Sequence, residues 1–133
     1  MSRNAVLSAL ADRLDAKRAP WPAIPDLAVG DVFTLVVDGA ERIKERDYGV
    51  AWLVMTVEIR RATRFQANED SDRADLASDL LESLIPEVYG ADRTLGGACL
   101  DMRYVEGETL YPADGTDLIA AVALFEMDYT RPE

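Results

Sequence analysis

Six residues, Asp92-Arg93-Thr94-Leu95-Gly96-Gly97, stand between a segment with helical apolar spacing and one with strand alternation. A junction that short dictates how the helix must pack on the sheet. Gly96 and Gly97 supply positive φ or close backbone approach, Asp92 is a turn or cap residue, and Leu95 is placed for burial beneath the turn. With Thr94 these residues read as a structural turn without chemistry of its own. Their value lies in the order of elements around them.

From Arg3 to Lys17, Leu7, Leu10, Ala11 and Leu14 fall at i, i+3, i+4 and i+7, with Asp12, Arg13, Asp15 and Lys17 largely off that stripe. This spacing predicts a helix. Pro20, Pro22 and Pro25 stop it, and Trp21 and Ile24 mark a connector pinned to the body. Val32 to Val37 is apolar on both faces between Gly30 and Gly39, as an interior strand should be. The charged run Ala40 to Asp47 is expected to be an exposed loop leading into a long strand from about Tyr48 to Arg61. On that strand Leu53, Met55, Val57 and Ile59 make an apolar face, while Thr56, Glu58 and Arg60 end the other.

The acids of Asn68 to Asp72 read as N-cap and first-turn carboxylates. Leu76, Ala77, Leu80, Leu81, Leu84 and Val88 then keep helical spacing, and Pro86 is expected to end or kink the helix near Leu84. A third strand alternates through Ala98, Leu100, Met102 and Tyr104, Glu106 to Thr116 is expected to be a loop, and a last strand runs from about Leu118 to Tyr129. The expected fold is one α+β domain over residues 1–133. Two helices pack on a mainly antiparallel four-stranded sheet in the order α-β-β-α-β-β.

A chain of 133 residues, 49% apolar, is long enough to bury a core without disulfides or metal. Its net charge of −11 argues against holding nucleic acid by phosphate neutralisation. With no histidine, Ser/His/Asp and Cys/His sites are impossible. Cys99, the lone cysteine, excludes an intrachain disulfide, favours a reducing compartment and reads as a small core residue. Asp70, Asp72 and Asp75 lack the glycine and distal glutamate of a calcium loop. Gly96-Gly97 follows a helix and precedes a strand, the reverse of a phosphate-binding loop. We therefore expect no enzyme, no cofactor and no metal. The N-terminal segment lacks the apolar run of a signal peptide or membrane span, so synthesis and folding in a cytoplasm are expected.

Read in order, the N-terminal helix, the strand Asp31 to Glu41, the Trp52-bearing strand ending in Arg60-Arg61, the leucine-rich helix, Asp92 to Gly97, the following strand and the terminal strand closing with Asp128-Tyr129 resemble a known family. It is the tail terminator proteins of long-tailed bacteriophages, including the minor tail protein U group and related prophage proteins. The resemblance covers nearly the whole chain and rests on the ordered combination. It implies a hexameric homo-oligomeric ring that binds the last ring of tail-tube protein, stops tube polymerisation and offers its other face to the head-tail connector or head-completion protein. DNA would pass through the lumen without specific binding, and no membrane is involved. It further implies a place in the tail or neck of the virion after assembly in the host cytoplasm.

For such a ring, Trp21 and Tyr111 are candidate interface anchors, whereas Trp52 is read as core or semi-buried. Glu41, Arg42 and Lys44 lie on a loop able to reach a neighbour. Arg60, Arg61 and Arg64 form a basic cluster that is either a solvated strand end or a contact to an acidic surface of the next subunit. The alternatives are another neck, head-completion or tail-tube ring protein, and a small cytoplasmic enzyme or ligand-binding domain with a closed apolar pocket.

Overall fold

The computed structural model describes residues 1–23, 25–64, 70–111 and 117–133. Ser2 opens the first helix, α1 (Arg3–Leu14), by accepting the Ala5 N–H at 3.1 Å. Asp15 closes it with φ at 49°, returning its N–H to Ala11 and Asp12. The helix thus stops short of Lys17. That turn releases Lys17–Ala19 to form β1, which runs parallel to β2 (Val32–Val37).

The next strand, β3 (Glu41–Asp47), corrects the expectation of a loop. Six of its seven residues are charged, yet it pairs antiparallel with β4 (Val50–Arg64). A charged edge strand is a normal device, because charge blocks pairing with another chain. Tyr48 and Gly49 make the two-residue turn between them, with φ of 46° and 80°, the backbone of a hairpin turn whose twist matches its strands. A left-handed conformation costs a bulky residue such as tyrosine on the order of 1–2 kcal/mol.

The fifteen residues of β4 form the spine of the sheet. On one edge β2 pairs with Glu58 to Thr63 and β3 with Val50 to Met55. On the other, β6 (Leu118–Pro132) pairs along the whole length, and β5 (Asp101–Leu110) pairs with β6 outside it. The sheet is therefore six-stranded and mixed, in the order β1-β2-β4-β6-β5 with β3 beside β4. The four-stranded sheet in the order α-β-β-α-β-β is overturned: the chain runs α-β-β-β-β-α-β-β. Two strands were hidden because a three-residue strand and one with a single apolar residue carry no apolar period. The region expected as a loop after Glu106 is strand as far as Leu110, and residues 112–116 lie outside the described residues.

The second helix, α2 (Asp70–Tyr89), continues through Pro86. Proline removes one backbone donor and crowds the preceding turn, at about 3 kcal/mol. Burial of Val88 and the edge-on contact of Tyr89 with Phe125, at 5.4 Å, act against that cost. The Tyr89 hydroxyl also accepts the Tyr104 N–H at 2.7 Å. The capping role expected of residues 68–71 falls outside the described residues and side chains, as does Ile24.

Both helices cover one face of the sheet. Leu7, Leu10 and Leu14 of α1 and Leu84 and Val88 of α2 join Leu53, Met55, Val57 and Ile59 of β4 and Ala123, Phe125, Met127 and Tyr129 of β6 in one buried cluster. The apolar face expected of Leu53, Met55, Val57 and Ile59 is the one buried on β4. Among the described residues no helix joins the opposite face, where Val54, Ala62, Ala120 and Val122 are nevertheless buried.

Candidate assembly surfaces

Alternation along β4 and β6 sends Trp52, Val54, Glu126 and Asp128 to the helix-free face. Three basic side chains from the flanking strands β3 and β5 meet them there. Arg42 of β3 reaches Glu126 at 3.0 Å, and Lys44 lies 3.8 Å from Asp128 and 5.0 Å from the centroid of the Trp52 ring. From β5, Arg103 holds Asp128 at 3.0 Å and Glu126 at 3.4 Å. Asp128 is only 4% exposed, so these cations offset the cost of burying its charge. Arg42 and Lys44 are themselves exposed, so their pairs contribute at most about 1 kcal/mol each and leave them able to exchange partners. The Trp52 Nε1 is buried with no hydrogen-bond partner among the described residues.

Glu41, expected to reach a neighbour, is occupied within the subunit. It accepts from the Tyr129 hydroxyl, from Arg131 at 2.9 Å and from Arg3 at 3.5 Å. The Tyr129 hydrogen bond, followed by Arg131, holds the Glu41 carboxyl below the usual glutamate value. Burial, reinforced by Glu41, pushes the Tyr129 hydroxyl up to about 12. Glu41 therefore ties α1, β3 and β6 together.

Arg60, Arg61 and Arg64 do not act as one cluster, because strand alternation divides them. Arg60 turns to the helix-free face and pairs with Glu58 at 3.0 Å. Arg61 turns to the helices, 9% exposed, donating to Thr34 at 2.9 Å and to both carboxylate oxygens of Glu87 at 2.6 and 3.0 Å. That fork lowers the Glu87 carboxyl from its ordinary value and pins α2 to β4. Arg64 lies at the end of β4, 3.9 Å from Asp26.

Trp21 is 67% exposed, and Tyr111 is exposed with the Arg73 guanidinium 5.8 Å from its ring centroid. Sequence reasoning missed a third aromatic, Tyr48, which is fully exposed at the β3–β4 turn. The Asp47-Tyr48-Gly49-Val50 step, with glycine second in a two-residue turn, was the available signal.

The turn after α2 has the geometry expected of it. Asp92 accepts the Thr94 N–H and hydroxyl at 2.8 and 2.6 Å and the Gly96 N–H at 2.8 Å. These hydrogen bonds, the Thr94 hydroxyl first, lower its carboxyl to about 2. Leu95, Gly96 and Gly97 all have positive φ, and Leu95 is buried. Cys99 is buried as well, which pushes its thiol up to about 11 and leaves little thiolate at neutral pH.

Three clefts among the described residues are open to solvent. One of about 160 Å³ lies on the helix-free face, where Glu58, Glu106 and Glu108 surround Val122 and Leu124. Another of about 360 Å³ adjoins the hairpin tip at Tyr48, Val50 and Trp52. A third, about 390 Å³ and mainly apolar, lies between α2 and the far end of β4, lined in part by Arg64, Leu76, Leu80 and Ile119. Among the described residues, no group of three or more His, Cys, Asp or Glu side chains is placed to hold a metal ion, and no helix is long and apolar enough to cross a membrane. Neither protein-family models nor curated proteins give a match to this chain.

Proposed function

We propose that this chain is a structural subunit of a virion ring that caps the tail tube of a long-tailed phage, ends tube polymerisation and provides the head-tail joining surface. The observation that carries the reading is the one-sided architecture. Both helices lie in a single core on one face of the sheet, and the other face bears exchangeable cross-strand ion pairs. A small-molecule enzyme concentrates convergent polar groups in a concave apolar pocket, whereas the three clefts described above are open. A ring subunit needs broad faces for the tube below, the connector above and a copy on each side. The sequence resemblance to tail terminators favours this ring over other neck rings, and with acidic residues lining its lumen the charge of −11 per subunit would keep passing DNA from adhering.

The test adds purified chain to polymerising tail-tube protein of the same particle and images the products by negative-stain electron microscopy. Shortened tubes with density at one end are expected. An unchanged length distribution with bare ends would overturn the reading.

A further inference from the structure

Most of the charged side chains on β3 are engaged within the subunit. Glu41 holds Arg131, Arg42 reaches Glu126, Lys44 lies beside Asp128, and Arg46 pairs with Glu133 at 2.8 Å. The carboxylates of Glu45 and Asp47 are the exception: both residues are exposed, and neither carboxylate meets a cation or a hydrogen-bond donor among the described residues. Strand register puts the two on the helix-free face. Glu45 lies opposite Trp52 and Asp47 opposite Val50, while Thr130 of β6 flanks Trp52 on its other side. Together with Tyr48, which is fully exposed, these residues line the cleft of about 360 Å³ at the hairpin tip. No basic side chain is among its lining residues. Lys44 rests 5.0 Å from the centroid of the Trp52 ring, but Asp128 at 3.8 Å takes up its charge.

We propose that this cleft receives an arginine side chain of a partner protein, its N–H groups on the Glu45 and Asp47 carboxylates and its planar face against the aromatic side chains. Charge decides the sign of the occupant, because both carboxylates at the cleft carry the same sign and the subunit supplies neither with a cation. The walls decide its kind. A guanidinium is weakly hydrated, stacks on aromatic rings and forks onto carboxylates, whereas an ammonium is a strongly hydrated point charge. A merely solvated strand end accounts for free carboxylates, but it gives no reason for Tyr48 and Trp52 to stand open beside them. Tryptophan, tyrosine and arginine are the residues on which interface energy concentrates. The contact requires no ring and is open to any protein that presents an arginine there.

The test titrates N-acetyl-arginine amide into the full chain and follows the indole N–H signals of its two tryptophans, Trp21 and Trp52, by heteronuclear NMR, with Trp21→Phe to assign them. The Trp52 signal should shift saturably, and the uncharged isostere N-acetyl-citrulline amide should not move it at the same concentrations. Glu45→Gln combined with Asp47→Asn should weaken binding on the order of tenfold, as loss of two exposed charge pairs implies. Both positions are exposed, and an unmoved Trp21 signal reports an intact fold. Asp12→Asn combined with Glu82→Gln removes the same charge from exposed helix positions and should leave binding unchanged, because screening at physiological salt confines such effects to about 8 Å. No saturable shift, an equal response to the citrulline amide, or equal weakening by the two double variants would overturn the proposal. Arginine binding by a chain that caps no tubes removes only the ring reading, and tube capping without arginine binding removes only this contact.

Discussion

Replacing Gly39 with alanine probes the least expected feature of the fold, the sharing of one edge of β4 by β2 and β3. Val37 lies opposite Glu58 and Glu41 opposite Met55, so residues 38–40 face only residues 56 and 57. The backbones close up at this mismatch. A Cβ on Gly39 would lie 2.8 Å from the Thr56 carbonyl carbon and closer still to its oxygen. The obstacle is backbone, which cannot swing aside as a side chain can, so the junction must open. Opening it strains the 2.9 Å hydrogen bond from the Thr56 N–H to the Ala40 carbonyl and the one from Arg3 to the Gly39 carbonyl. Overpacking of this kind costs about 1–3 kcal/mol, and each lost hydrogen bond about 1 kcal/mol more. The expected loss of about 3–5 kcal/mol is a large part of a domain stability of roughly 5–15 kcal/mol. In thermal unfolding followed by circular dichroism it should lower the melting temperature by about 10–20 °C. Gly96→Ala is the control, because φ is +69° there and nothing lies within 4 Å of the added carbon. It should cost only the backbone strain of about 1–2 kcal/mol. If Gly39→Ala melts no lower than Gly96→Ala, the close approach of β3 to β4 is wrong.

Stability should also fall in acid through Asp92, whose carboxyl is lowered from 3.8 to about 2 in the fold. A depressed carboxyl contributes stability that is present above its unfolded value and lost as pH falls through its folded one, so the window is about pH 4 to 2. A melting curve series over that range should steepen for the native chain and flatten for Asp92→Asn. Cys99, buried with its thiol near 11, should react with a thiol reagent only as fast as the protein opens, and rapid labelling at neutral pH under native conditions would contradict its core placement. Gly97→Val places a β-branched residue at φ +92° with open space around it. It should cost at least about 1–2 kcal/mol in chemical denaturation and reduce assembly only in proportion to the folded fraction.

How much of this was legible depended on whether apolar periodicity accompanied each element. The strands around Leu53 to Ile59 and Ile119 to Tyr129 announced themselves because one face is buried and the other partly wet. In β3 only Ile43 is apolar, and its strand character comes from pairing with β4 and from ions reaching across β4 to Glu126 and Asp128 of β6. Such pairings have no trace in local pattern. β1 is three residues long and exists because Asp15 turns the chain toward β2. Pro86 misled in the other direction: a local penalty was overridden by tertiary burial of Val88. The candidate surface was legible in part. Trp21 and Tyr111 are exposed, whereas Glu41 and Arg61 are internal ties, which alternation at Arg61 and the distant Tyr129 explain. The Asp92 to Gly97 turn was read most fully, since its conformation is dictated by its own residues.

We propose that this chain ends the tail and prepares it for the head. Electron microscopy of particles assembled in its absence tests that most directly. Overlong tubes and tails unattached to heads are the predicted result; tails of normal length, fully joined to heads, would contradict it.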